Sequence, residues 1–155
     1  MNLDPFLQAI DRSRTWFFKL VDGLTPQQWD AKPYPNVKSP RETLEHLVIS
    51  DRVCPVLLQG TEPDYEAYRP EGELSPEQLL DLLRSTHAER MSWLKEFTEG
   101  KSADDTIRTV YSGEQSLASQ LIDIATEDWY HIGQVSLVRQ GVDPAWDYYA
   151  AFYSG

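Results

Sequence analysis

The stretch KSPRETLEHLVISDRV (residues 38–53) opens on a helix start and then places apolar residues at helical spacing. Ser39 stands before Pro40, and Glu42 follows three residues after the serine. The serine hydroxyl can accept from free amides of a first helical turn, proline fits the first helical position, and the glutamate can reach back to the serine amide. The same signal recurs in LTPQQ (24–28) and LSPEQ (74–78). Three such starts within 155 residues predict a chain built of helices.

Working outward from these starts, a first helix is predicted over about 3–22, with Leu3, Phe6, Ile10, Phe17 and Leu24 at roughly helical spacing. A short helical turn follows Thr25. The second long helix begins after Ser39 and runs to about Leu58, with Pro55 kinking or ending it. The third runs from Pro76 to about Thr98 and carries Leu79, Leu83, Leu94 and Phe97. The fourth spans about 115–140 and stops at Gly141, a residue type favoured just past a helix end. TIRTV (106–110) is a candidate for a brief extended piece. The tail, DPAWDYYAAFYSG, is a candidate for a short further helix. Its Trp146, Tyr148, Tyr149, Phe152 and Tyr153 are read as closing the core, with a pocket mouth as the alternative.

Four long helices predict an all-α four-helix bundle forming a single domain over residues 1–155. The joint between the second and third helices, Gln59 to Ser75, is about 17 residues long, enough to carry the chain back along the bundle and let those two helices run parallel. Short joints throughout would instead predict simple up-and-down order.

Composition narrows the function classes. The 25 acidic residues against 14 basic ones give a net charge of −11. So acidic a surface repels phosphate backbones and anionic lipid, so neither nucleic acid nor a membrane is an expected partner. No apolar run approaches the ~18 residues that a membrane span needs. The start, MNLDPFLQAIDR, lacks the basic and apolar parts of a signal peptide, and Cys54 is the single cysteine. Both features suit a reducing cytoplasm. Cys54 precedes Pro55 on an apolar segment and is read as packing rather than as a nucleophile. No Ser/His/Asp order, Gly-rich phosphate loop or CxxC is present.

The three histidines are the informative residues. On a wheel of about 100° per residue, Leu117, Ile124, Val135 and Val138 fall within about 40° of His131, which therefore sits on the main core stripe of the fourth helix. Glu127 lies about 40° to one side and Asp128 about 60° to the other. An imidazole and carboxylates on a core stripe are costly unless they are paired or coordinated. His46 shares a face with Ile49, Val53 and Leu57, and His87 lines up with Leu80, Leu83, Met91 and Leu94. All three are expected to point inward, where a bundle can bring residues of facing helices onto one ion. A core histidine hydrogen-bonded to a carboxylate accounts for the same spacing.

The stretch LTPQQWDAKPYPNVKSPRETLEHLVISDRV (24–53), followed by EDWYHIGQVSLVRQG (127–141), resembles the DinB/YfiT-like superfamily of metalloenzymes. The resemblance runs through nearly the whole chain in order and spacing, and rests on EHL (45–47) together with HIGQ (131–134). It implies an up-down-down-up bundle, in agreement with the long joint between the second and third helices. It also implies a metal triad of one histidine from the second helix and two at i, i+4 on the fourth. Carried over, the outer ligands are His46 and His131, while Glu127 occupies the middle position where the family has histidine. Two readings follow: a two-histidine, one-carboxylate site, or a site without metal in which Glu127 pairs with a protonated His131. Gly133 would let a neighbouring helix approach closely, and Gln134 would donate a hydrogen bond just outside the ligands. Asp128 is an alternative ligand, and His87 a fourth candidate without a role in the family pattern.

The resemblance further implies one divalent transition metal, zinc first, with nickel, iron or manganese as alternatives. A thiol-dependent S-transferase using a low-molecular-weight thiol such as bacillithiol or mycothiol is one implied activity on a small-molecule substrate. Metal-dependent hydrolysis stands beside it, because a carboxylate ligand makes the ion harder and better suited to oxygen than to soft sulfur. The competing class is a non-catalytic dimeric binding or stress-response module. It draws on the second apolar side of the fourth helix, where Ile122, Ala125, Trp129 and Ile132 could form a homodimer contact.

Overall fold

A computed structural model describes residues 2–153 of the chain. Its long helices are α1 (Asp4–Val21), α3 (Pro40–Leu58), α4 (Pro76–Thr98) and α5 (Leu117–Val142), with the short α2 (Pro26–Trp29) and α6 (Tyr148–Tyr153). A 3₁₀ turn, Tyr65–Tyr68, interrupts the long joint between α3 and α4. The three Ser/Thr-Pro signals form reciprocal capping boxes: Thr25 with Gln28, Ser39 with Glu42, and Ser75 with Gln78. In each, the side chain three residues on accepts from the cap residue's amide at 2.9 Å.

The bundle is up-down-down-up. Cys54 and Leu58 of α3 share one apolar cluster with Met91 and Leu94 of α4, while Leu44 and Leu47 share the other with Leu79 and Leu83, so α3 and α4 run parallel. Likewise Leu3 and Leu7 of α1 sit with Leu117 and Leu121 of α5, and at the opposite end Arg139 donates to the Leu20 carbonyl. The helices thus form two closely packed parallel pairs, α1 with α5 and α3 with α4. Contact between α3 and α5 is sparse, and a cleft opens there.

Several boundaries differ from the sequence expectation for physical reasons. TIRT forms a strand, β1 (Thr106–Thr109), paired antiparallel with β2 (Gly113–Ser116), with Ile107 opposite Gln115. That pairing holds Gln115 and Ser116 extended, so α5 starts two residues later than expected, with Ser116 as its cap. At the other end α5 runs through Gly141 to Val142. Gly141 is there for space rather than for stopping the helix: a Cβ on it would meet Pro33 Cγ at 2.8 Å. By contrast α3 ends at Leu58 as expected, with Pro55 inside its last turn. Of the tail aromatics, Phe152 is buried against the core and Trp16 stacks on it, whereas Tyr149 and Tyr153 are exposed.

The two apolar clusters are separated by a polar layer to which each long helix contributes. Arg14 of α1 grips Asp51 of α3 through both terminal nitrogens, at 2.7 and 2.9 Å, and Asp128 of α5 at 2.8 Å. Arg90 of α4 completes the set at 2.8 Å from Asp51, and Thr86 donates to the same carboxylate. Arg14 and Asp128 are wholly buried. Burial alone would lower the Arg14 pKa, but Asp128 and Asp51 outweigh it and hold the guanidinium above its ordinary range. Breaking such a pair from one side leaves a buried charge uncompensated, which typically costs about 3–5 kcal/mol. Arg14→Ala should therefore lower the unfolding free energy by about that much, read as a shifted urea midpoint with an unchanged slope. An effect below about 1 kcal/mol would show the layer to be dispensable.

Candidate metal centre

Three of the residues singled out in the sequence converge where α3 faces α5. Glu127 Oε1 lies 2.9 Å from His46 Nε2 and 3.0 Å from His131 Nε2. One turn of α5 separates Glu127 from His131, which sets them on the same face, and His46 reaches across from α3. All three candidate ligand atoms lie within 4.8 Å of one another. The His46 and His131 rings meet edge to face, with centroids 4.7 Å apart.

The surroundings orient these donors. His131 Nδ1 donates to Gln134 Oε1 at 2.8 Å, and the Gln134 amide is turned that way because its Nε2 donates to the Tyr130 hydroxyl at 2.8 Å. Gln134 is thus an acceptor toward His131, not the donor expected from the sequence. With Nδ1–H committed to Gln134, it is His131 Nε2 that faces the carboxylate, and only a proton or a metal ion can join two such lone-pair atoms. Hydrogen bonds from His131, and then from His46, hold the Glu127 carboxyl well below the usual carboxylate range against the opposing effect of burial.

The donor set fits a divalent ion. Two imidazole nitrogens and one carboxylate oxygen are the ligand types of catalytic zinc and non-haem iron sites. A tetrahedral ion with bonds near 2.1 Å sets its ligand atoms about 3.4 Å apart, so the two Glu127–histidine contacts would open by about half an ångström, and the two histidine nitrogens lie within 4.8 Å of each other. The centre is closed on one side and open on the other. The His131 side chain is 2% exposed, whereas those of His46 and Glu127 are 36% and 41% exposed and line a cleft of about 380 Å³.

The other candidates are engaged elsewhere. Asp128, next to Glu127 in sequence, points about 100° away on the helix, into the polar layer. Both its oxygens are taken, one by Arg14 and the other by Ser13 at 3.0 Å. His87 accepts from Arg90 at Nδ1 and donates from Nε2 to Asp11, each at 3.1 Å. Burial, then Arg90 and Arg14, lower its pKa, consistent with a neutral ring. Among the described residues nothing lies within 4 Å of where a Cβ on Gly133 would stand, so none of their helices approaches it closely. Cys54 lines the cleft, but burial pushes its thiol up to about 12. Arg14, Arg90 and Gln120, all buried and close to this region, were not singled out from the sequence. For Arg14 a signal existed: it falls on the stripe of Ile10, Phe17 and Val21, where an arginine has to find a buried carboxylate.

A family model for the DinB superfamily matches residues 9–135, and the chain belongs to that superfamily. Among solved structures, YfiT from Bacillus subtilis is similar with a TM-score of 0.68 and 17% identity, over 90% of this chain and 86% of that one. YfiT is described as a probable metal-dependent hydrolase with an unusual four-helix bundle topology. At that identity the likeness speaks for the fold. No curated protein matches the sequence.

The depressed Glu127 pKa has a signed consequence for the metal-free protein. The stability that the ionised carboxylate contributes is fully present above its ordinary value of 4.5 and is lost as pH falls below it. Between pH 5 and 3 the urea midpoint of the metal-free wild type should drop more steeply than that of Glu127→Gln. Parallel curves would show that the carboxylate is not held by the two histidines.

Proposed function

We propose that this chain is a metal-dependent enzyme whose ion is held by His46, Glu127 and His131, and that it catalyses hydrolysis of a small molecule entering the cleft between α3 and α5. The observation that carries the reading is the convergence of three donors of ligand type at the end of a cleft, with one side sealed by the core. The printed description of YfiT as a probable metal-dependent hydrolase supports the same class. Zinc is the first candidate ion, with nickel, iron or manganese as alternatives.

A divalent ion at this position supplies Lewis acidity and a bound water of lowered pKa. The chain's own residues do the rest. His46 and His131 bind through Nε2, Glu127 adds a negative ligand, and Gln134 fixes the ring of His131 with Tyr130 behind it. The core behind His131 keeps water to the cleft side. The carboxylate makes the centre harder than three imidazoles would, which favours attack by oxygen over capture of a thiolate. Transfer of a low-molecular-weight thiol is the second activity to screen, and Cys54 has no part in either.

A non-catalytic dimeric module is the alternative class, favoured by the outer face of α5. Of the face read from the sequence, Ala125 and Ile132 are buried in the chain's own core, but Ile122 and Trp129 are exposed with Tyr130 and Leu137 around Gly133, and a second copy of the chain crossing at the glycine would cover these four.

Elemental mass spectrometry on untagged protein separates the classes. About one equivalent of a transition metal is expected, and it should be lost in His46→Ala, Glu127→Ala and His131→Ala. Gln134→Ala should retain the ligands yet weaken metal affinity roughly 10–100-fold, by freeing the His131 ring. Hydrolysis of activated esters and amides should follow metal content across these variants. If reconstitution with zinc, nickel, iron and manganese yields no bound ion, and light scattering gives a dimeric mass, the enzyme reading fails and the module leads.

A further inference from the structure

In a chain of net charge −11, the outer face of α5 carries no charged side chain. Ile122, Thr126, Trp129, Gly133, Leu137 and Gln140 lie within about 40° of one line along the helix, roughly 27 Å long, with Tyr130 at its edge. All seven are exposed. The exposed side of α4, by contrast, carries Glu77, Asp81, Arg84, Glu89, Lys95 and Glu96. On α5 the carboxylates open to solvent, Asp123 and Glu127, lie about 80° and 120° from Gly133, on the cleft side.

The uncharged patch is also wide. Trp16 of α1 meets both Trp129 and Tyr153 of α6, with ring centroids 5.7 and 5.5 Å away, and Tyr153 lies beside Tyr149. Ile122, Trp129, Tyr130, Leu137, Tyr149 and Tyr153 are six of the eleven exposed large hydrophobic side chains among the described residues. At about 150–250 Å² for a whole aromatic side chain, their exposed parts amount to on the order of 600 Å². Each partner in a standard protein interface gives about 800 Å².

The stripe is close to symmetric about Gly133. Trp129 and Leu137 stand four residues to either side of it, and Thr126 and Gln140 seven. On a two-fold axis at the glycine, an antiparallel copy of α5 sets Leu137 against the partner's Trp129 and Tyr130, and Gln140 against the partner's Thr126. Apolar groups then meet apolar groups and an amide meets a hydroxyl, as an isologous contact requires. The missing side chain of Gly133 lets the two backbones approach. A second copy, repelled by the acidic faces, meets no like charge on this one.

We propose that this face is the contact between two copies of the chain, and that Tyr130 links it to the metal centre. The Tyr130 ring stands edge to face with His131 at 5.1 Å, and its hydroxyl accepts from Gln134, whose Oε1 holds His131 Nδ1. A partner packed on Tyr130 fixes that ring, and through it the amide and the imidazole. Association and metal binding then strengthen each other by the same factor. The interface serves either class of function, while the link rests on the metal-dependent reading above.

Sedimentation equilibrium on the untagged chain, with and without zinc, tests both. The metal-free chain should dimerise with a dissociation constant at or below about 10 μM. Zinc should tighten the dimer about five- to tenfold. Gly133→Gln should weaken it at least about tenfold. The urea midpoint of that variant, compared where wild type is monomeric, should be no lower, because the side chain enters open space and glycine is a poor helix former. Tyr130→Phe keeps the ring and should dimerise as wild type does, but without the response to zinc. A chain that stays monomeric at about 100 μM leaves the face to a different partner and overturns the proposal. A dimer indifferent to Gly133→Gln uses another face and overturns it too. Zinc that binds without tightening the dimer, or a zinc effect that survives Tyr130→Phe, overturns the link. If no ion binds, the metal reading has failed and the link falls with it, and Gly133→Gln alone decides the interface.

Discussion

The Arg14 guanidinium sets the register of the bundle. Apolar side chains can slide past one another by a turn at modest cost, but a wholly buried cation cannot leave its carboxylates. Arg14 holds Asp51 and Asp128 at once, and Arg90 holds Asp51 from the other side, so one layer of charge ties α1, α3, α4 and α5 together. The apolar clusters above and below need only fill space. This division matters in an up-down-down-up arrangement, because parallel neighbours lack the short hairpin joints that would otherwise fix their relative height.

The same layer places the candidate metal centre. Asp128 turns into it, and the adjacent Glu127, about 100° around the helix, is thereby turned toward the cleft and His46. His131 follows one turn later on the Glu127 side. Asp51 does the equivalent on α3, locking the helix whose preceding turns carry His46. Two acidic neighbours in sequence thus have unlike roles: one neutralises a buried arginine for good, and the other is left partly solvated beside two imidazoles. Because α3 packs on α4 and α5 on α1, the gap between α3 and α5 is a consequence of the pairing and not a packing fault.

Much of this was legible from residue pattern alone. Capping boxes announce themselves because their chemistry is local, and all three helix starts read from Ser/Thr-Pro are present. The parallel course of α3 and α4 followed from the length of the joint between them. Legibility failed where the deciding partner lies far away in sequence. Gln115 and Ser116 read as helix until Thr106 and Ile107 hold them in a hairpin, and Gly141 read as a helix stop until Pro33 claims its missing side chain. At the site, helical spacing brought His131 and Glu127 onto one face but could not say which neighbouring carboxylate turns to the metal side. That choice is made by Arg14, more than a hundred residues away.

The carboxylate at position 127 also bears on what the centre can do. A divalent ion with two imidazoles and one carboxylate keeps a net charge near +1, where three imidazoles would leave +2. Since the polar layer beneath is balanced and the chain as a whole is acidic, little else nearby raises that charge. Substituting an anionic ligand therefore strengthens the hold on a cation while softening its pull on a bound water. Such a centre would pull less strongly on an anionic group than one held by three imidazoles.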